Sequence, residues 1–493
     1  MIMQRRTLSI AAAFFLLLHH SATAQNQNAD SLISQISSGP AVTYSIQQCI
    51  DSALKNNPAV KQAEIISLQA RITRLQYIGI AVPTLSGYGS YGRVNGHSVN
   101  YNTGTYVNAD YNQGYGQLTG QFNLWNAGSI LNFIRGYSTL YEATKKDWQY
   151  QKDLITINVI LAYLQVLSAE EQLALAQAQA ADIRRKVDLM AIQDSVGAIS
   201  PLDYTDMKGN LAAAEYTIVS AKNTTENNKL ILSQLINIPY SPNMDLVKIS
   251  TDPTPVLYDA SVDQIYQKAT QNIANIAANE LHVEAAKKIL KASRENLAPT
   301  LSFYYGLQSQ YTQAATTNSL LSTSYVNSGS YVTVNGTQVP VYSPEGNYSN
   351  SKVVALNDQL KDNKETQFGL QLNIPILGQF AKRTLLMNNK VALQQAQFNQ
   401  KTAVAVLRQS VESNYVQMMQ AFRSYNVLYR EVNNYEESFR GAQIKYDNGA
   451  LASLAFVIYN TNKNQAELAL IGAKYSYLLQ TKILDYFQGQ LTW

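Results

Sequence analysis

Apolar residues recur along this chain with two different periods, and the switches between them lay out most of its elements. From Ile155 the steps are four and three: Ile155, Val159, Ala162, Val166, Ala169, Leu173, Ala176, Ala180, Ile183, Val187 and Met190. The same steps return 252 residues later as Leu407, Val411, Asn414, Met418, Ala421, Tyr425, Leu428, Val432, Tyr435, Phe439 and Ala442, with Asn414 the polar exception. A seven-residue repeat held this long marks helices packed knobs into holes. No proline interrupts 129–196, so one helix is expected there and its counterpart over 382–447. At ~1.5 Å per residue each would span roughly 100 Å. Shorter helices are expected over 45–81 and 201–237, and again over 262–297 and 453–487. Two of these end to end match one long helix, which describes a wall of helices.

Four segments alternate with period two instead. In 116–124, Leu118, Phe122 and Leu124 oppose Gln117, Thr119, Gln121 and Asn123. In 300–311, Leu301, Phe303, Tyr305, Leu307 and Tyr311 oppose Thr300, Ser302, Gln308 and Gln310. In 367–374, Phe368, Leu370, Leu372 and Ile374 oppose Gln367, Gln371 and Asn373, while 84–92 alternates more weakly around its glycines. Segments of about 9–12 residues with one apolar and one wet face fit strands tilted across a bilayer. The 33 tyrosines, several beside these strands, suit the headgroup level. The polar stretches 93–115 and 312–362 are expected as exposed loops.

The halves also repeat each other. Ala81-Val82-Pro83-Thr84-Leu85-Ser86 returns as Leu297-Ala298-Pro299-Thr300-Leu301-Ser302 at a shift of 216. Val196-Gly197-Ala198 returns as Asn448-Gly449-Ala450, and Ala214-Glu215 as Ala466-Glu467, at a shift of 252. The second copy therefore carries an insertion of 36 residues, assigned mostly to 312–362. The chain divides into repeats over 25–250 and 251–493, with 26–43, 238–260 and 488–493 as connectors.

Composition narrows the class. Arg5-Arg6, the apolar run Ala11–Leu18 and Ala22-Thr23-Ala24 read as a secretory signal over 1–24. Its removal leaves 36 basic against 34 acidic residues, a balance that suggests no nucleic acid partner. The single cysteine, Cys49, excludes an internal disulfide and reads as a buried helix residue. No later stretch approaches the ~20 consecutive apolar residues of a spanning helix, so a membrane would be crossed by strands. Four strands leave two edges, and spanning barrels are closed with eight strands at the least, so two or three copies would be needed. Catalysis finds little support. Beyond the signal stand two histidines, His97 and His282, with no phosphate loop and no metal-ligand spacing. The acids read as scattered over solvated helix faces. No enzyme activity and no cofactor are expected.

The duplicated order helix, strand, loop, strand, helix, turn, helix, with turns at Gly197 and Gly449, resembles the TolC-like outer-membrane efflux family. The motifs Pro83-Thr84-Leu85 and Trp125-Asn126-Ala127-Gly128 fit within that order. The resemblance implies a mainly α chain with a membrane β-barrel, closing in a homotrimer as twelve strands in outer-membrane lipid above a periplasmic α-barrel. It implies a Gram-negative outer-membrane exit duct for small molecules, fed by a periplasmic adaptor and an inner-membrane pump. The same family also serves type I protein secretion. A soluble periplasmic coiled-coil scaffold would share the heptads and have no use for the strands.

The resemblance further places the periplasmic entrance and the adaptor contacts at the two turns. These are Val196, Gly197, Ala198, Ile199 and Ser200, with Asn448, Gly449, Ala450, Leu451 and Ala452. The family's constriction aspartates would fall at Ala455 and Ile458, so that acidic ring is missing here. The corresponding first-copy residues are Asp203 and Asp206. Asp203 matches a family aspartate that bonds a tyrosine, here Tyr446, and a common basic residue is replaced by Leu451. Asp203, Asp206 and Tyr446 are thus the expected gating residues, with an Asp203–Tyr446 latch.

Overall fold

The computed structural model describes residues 42–100, 104–249, 254–349 and 352–490. In chain order the elements are β1 (Val42–Tyr44), α1 (Ile46–Asn56), α2 (Pro58–Ile80), β2 (Thr84–Asn100), β3 (Thr105–Trp125), α3 (Ser129–Ser195), α4 (Pro201–Leu235), β4 (Met244–Leu246), α5 (Val262–Asn272), α6 (Ala274–Glu295), β5 (Thr300–Thr312), β6 (Thr316–Thr317), β7 (Leu320–Val334), β8 (Thr337–Tyr348), β9 (Lys352–Val353), α7 (Leu356–Asp362), β10 (Glu365–Asn373), α8 (Phe380–Asp447) and α9 (Ser453–Phe487). They fall into two units, each drawing on both halves of the chain. The signal segment expected over 1–24 lies outside the described residues.

One unit comprises Met1–Ala63, Gln149–Ile273 and Val406–Trp493. Every residue of the two apolar stripes is buried or half-buried, with Val159, Val166, Val411 and Met418 fully so. Asn414 keeps its place in the stripe by donating from Nδ2 to the Ser410 carbonyl at 2.7 Å. α3 does contain an 18-residue window of mean hydropathy 1.3, which the sequence reading passed over, and half of that window is buried. Not all acids lie on solvated faces, as had been expected. Glu170 binds Lys229 of α4 at 2.8 Å, and the adjacent Glu171 binds Lys474 of α9 at 2.7 Å. Two neighbouring carboxylates on α3 thereby hold two different helices.

The helices expected over 45–81 and 262–297 are each broken, at Asn57 and at Ile273, where the backbone turns extended. Pro58 forces the residue before it out of the helical region. The second copy has Ala274 in that place and breaks at the same point, so proline is not the whole cause. Polar anchoring is shared by both. Asn57 Nδ2 donates to the Leu235 carbonyl at 2.9 Å, and Asn272 Nδ2 donates to the Gln488 carbonyl at 3.0 Å. Both short helices start with a reciprocal capping box, Ser45 with Gln48 and Ser261 with Gln264.

The connector expected at 238–260 contributes β4, which pairs in parallel with β1, Thr43 opposite Asp245. Tyr163 of α3 lies beneath this pair with no exposed surface, its Oη 2.7 Å from the Val247 carbonyl and 3.1 Å from that of Tyr44. Burial pushes the phenol pKa well above its usual range, which keeps the hydroxyl a donor. Cys49 is fully buried in α1, where burial raises the thiol to about 12.

The other unit comprises Glu64–Trp148 and Ala274–Ala405. Its centre is a four-stranded antiparallel sheet in the order β10-β5-β3-β2. Register carries the period-two pattern across all four strands. Phe368 stands opposite Tyr305, Tyr305 opposite Gly120, and Gly120 opposite Leu85, while Leu370, Phe303 and Phe122 form the next row. One face is therefore apolar and largely exposed, with Leu85 68%, Phe368 72% and Leu370 64% accessible. The other face is polar and hydrogen-bonded, Ser86 to Thr119 at 2.9 Å and Tyr115 to Gln308 at 2.7 Å. Edge strands β2 and β10 each have one side with no strand partner among the described residues.

The expected loops are largely strand. β2 and β3 stay paired from Thr84↔Gln121 to Asn100↔Thr105, beyond the 84–92 and 116–124 expected. Asn, Ser and Gly fill both faces of that extension, so it shows no alternation. Its pairing is carried by the backbone ladder, the Arg93–Asp110 ion pair and stacking of His97 on Tyr106. Within 312–362, β7 and β8 form a separate ribbon turning at Asn335 and Gly336, both at positive φ. Gln359 of α7 bonds the Thr312 amide and carbonyl at 2.9 Å each, holding that helix against β5.

Close approach of α3 and α6 depends on Gly136. A Cβ there would lie 2.6 Å from Ile289 Cγ1 and 3.2 Å from the Ile289 amide nitrogen. Gly136→Val is expected to destabilise this unit by about 1–3 kcal/mol through overpacking. Thermal unfolding of the detergent-solubilised protein, followed by circular dichroism, measures it.

Candidate entrance at the two helical turns

Both helix-turn-helix ends belong to the first unit, and the chain builds them the same way twice. α3 ends at Ser195 and Gly197 takes φ +69°, while α8 ends at Asp447 and Gly449 takes φ +70°. The Gly197 amide donates to the Asp194 carbonyl and the Ala198 amide to that of Gln193, at 3.0 and 2.8 Å. The Gly449 and Ala450 amides donate to Tyr446 and Lys445 carbonyls at 2.9 and 2.8 Å. Each bond is the other's copy at the 252-residue shift. Glycine is required by conformation, since nothing lies within 4 Å of a Cβ built at either site.

The helices that leave the turns differ. Ser200 caps α4, its hydroxyl accepting from the Leu202 amide at 3.3 Å, with Pro201 and Asp203 in the first turn. Asp203 opposes the partial positive charge of that helix end. Ala452 offers α9 no side-chain cap and no acid follows in its first turn. The two expected gating carboxylates therefore sit beside the first turn, Asp203 half-buried and Asp206 exposed.

The turns meet across a cavity of about 940 Å³ lined by Met190, Ala198, Ile199, Ser200, Asp203, Tyr446, Gly449, Leu451 and Ala452, among others. Asp203 and Tyr446 thus share one space, and no hydrogen bond joins them. Tyr446 Oη lies 3.6 Å from Met190 Sδ, and its ring stacks on Phe456 at 4.6 Å between centroids. Apolar packing supports the arrangement. Val187, Met190 and Met207 form a buried cluster with Ile199, Tyr204 and Val457 around it. At the surface Val196 is 73% exposed; Asn448, Gly197 and Ala198 are exposed too.

Sequence reading missed Lys186. Its Nζ sits 3.6 Å from the Phe456 ring centroid and 5.6 Å from that of Phe439, and donates to Gln443 Oε1 at 3.1 Å. A lysine immediately before Val187, at the border of an apolar stripe, was the available signal.

A family model for outer membrane efflux proteins matches residues 18–237 and 265–485. The chain belongs to that family. Among its relatives, the outer membrane protein TolC of Salmonella enteritidis is 21% identical over 357 residues, 70% of this chain. The match spans 63% of that relative's length. Among solved structures, the outer membrane protein VceC of Vibrio cholerae aligns with a TM-score of 0.69 at 14% identity, covering 90% of this chain and 96% of its own. The CmeC outer membrane channel of Campylobacter jejuni gives 0.67 at 17%, covering 90% and 86%. At such identities the likeness establishes the fold, a long-helix α-barrel joined to a β-barrel. This efflux-family protein is an outer-membrane protein with its helices on the periplasmic side, and its family is one of transport proteins. The soluble coiled-coil scaffold is set aside by that membership and by an apolar sheet face open to its surroundings.

Proposed function

We propose that copies of this chain, three by family analogy, close a β-barrel and a helical tunnel that together form a passive exit duct. In this reading small molecules reach the duct from a periplasmic adaptor and an inner-membrane pump. The observation that carries it is the four-stranded sheet, apolar on one face and polar on the other, with two edges unpaired among the described residues. A lipid-exposed edge would leave backbone groups unpaired in hydrocarbon, and pairing β10 of one copy with β2 of the next removes both edges. The turn residues 196–200 and 448–452, exposed but for the half-buried Ile199 and Leu451, are the surface offered to the adaptor, and Asp203, Asp206 and Tyr446 control the opening.

The test combines deletion with copurification. Deletion should raise susceptibility to small toxic compounds, and the tagged protein should bring down an adaptor and run as a trimer by native mass spectrometry. Loss of one secreted polypeptide with unchanged susceptibility would instead support a protein-secretion exit. For the gate, Asp203→Ala should raise single-channel conductance in planar bilayers and increase leakage of large antibiotics. Unchanged conductance would remove Asp203 from the gate and leave it the dipole partner of α4.

A further inference from the structure

We infer that Lys186 is a cation–π clip that joins the hairpin α3–α4 to the hairpin α8–α9 beside the turns, and that releasing it lets the two tips separate. The geometry is three-sided. Lys186 leaves α3, Phe439 and Gln443 come from α8, and Phe456 comes from α9. Phe456 is 1% exposed, so its contact with the ammonium is shielded from water. The two phenyl rings lie 5.5 Å apart and tilted by 47°, and Tyr446 also stacks on Phe456. The ammonium therefore binds the aromatic cluster that also carries Tyr446.

Lys186 has no direct carboxylate partner in this position, although Asp182 and Asp447 act on it electrostatically, against Arg185. Asp182 is instead bonded to Arg185, and Asp447 accepts from Gln443. Burial pulls the pKa of Lys186 down from the usual lysine value. A half-buried cation facing rings rather than acids gains its compensation from the ring quadrupoles. Lys186 also lines both the cavity between the turns and a second one of about 340 Å³ that includes Gln179 and Asn460, so it borders both. Fifteen residues up α3, the Glu171–Lys474 pair joins the same hairpins again. Loss of the clip would loosen the tip end alone.

The contact itself can be tuned without changing shape. Phe456 is replaced by mono-, di- and trifluorophenylalanine in a Cys49→Ser background, with spin labels at Val196 and Ile444 and the labelled chain diluted among unlabelled copies. We expect the population with separated tips to rise stepwise with fluorination, about tenfold by the trifluoro ring, which is the factor a partly desolvated cation–π contact corresponds to. Lys186→Met should match the trifluoro protein and Lys186→Arg should stay near wild type. Distances unmoved by fluorination overturn the proposal, including the case in which Lys186→Met alone moves them, which would assign the effect to the Gln443 bond. The distances do not depend on the duct reading. A rise in conductance along the same series does, so failure of one is separable from failure of the other.

Discussion

Leu370→Arg should leave the protein absent from the outer membrane, unassembled and degraded. Leu370 lies on edge strand β10 in the row with Phe303 and Phe122, on the sheet's apolar face, and is 64% exposed within one chain. In a closed barrel that face meets lipid. An arginine on the lipid face of a β-barrel costs about 2–4 kcal/mol near the midplane, and every copy in a homo-oligomer bears it. The neighbour Gln371 faces the other way, opposite Ser302 and Asn123. Gln371→Arg should therefore insert and assemble normally, a sharp control because the two changes sit one residue apart. Membrane fractionation with native gels reads both. Normal levels and assembly for Leu370→Arg would mean that this face does not meet lipid.

The second large effect is expected at Tyr163. Tyr163→Ala removes a fully buried ring from the helical unit and should cost about 3–5 kcal/mol, the range for deleting a large core aromatic. Tyr163→Phe separates the ring from its hydroxyl. The Tyr44 carbonyl would keep its bond from the Val247 amide at 3.1 Å, whereas the Val247 carbonyl would lose its 2.7 Å partner. One buried acceptor left unpaired costs about 1–3 kcal/mol. Hydrogen exchange at β1 and β4, with the thermal midpoint, should rank wild type, Phe and Ala in that order. Equal protection in all three would show that Tyr163 does not anchor the β1–β4 pair.

The helices were legible because one physical rule governs them over a long distance. A stripe of period three and a half buries itself regardless of neighbours, so the seam from Ile155 to Met190 could be read residue by residue. Strand faces were legible for the same reason where a face is uniformly apolar, as in Phe368, Leu370 and Leu372. They were not in 93–100 and 105–112, where pairing rests on the backbone ladder, one ion pair and one ring stack, and Asn, Gly and Ser give no contrast between faces. The breaks at Asn57 and Ile273 were hidden because they depend on side-chain bonds to distant carbonyls of Leu235 and Gln488. At the turns, repetition identified both glycines from the chain alone. Lys186 was invisible because its significance comes from Phe439 and Phe456, more than 250 residues away in sequence.

The β7–β8 ribbon turns on Asn335 and Gly336 and pairs with itself alone among the described strands. The register of the four central strands owes it nothing. That makes its bend a natural grafting point: an epitope or affinity sequence inserted there would be displayed while the four-stranded sheet kept its pairing.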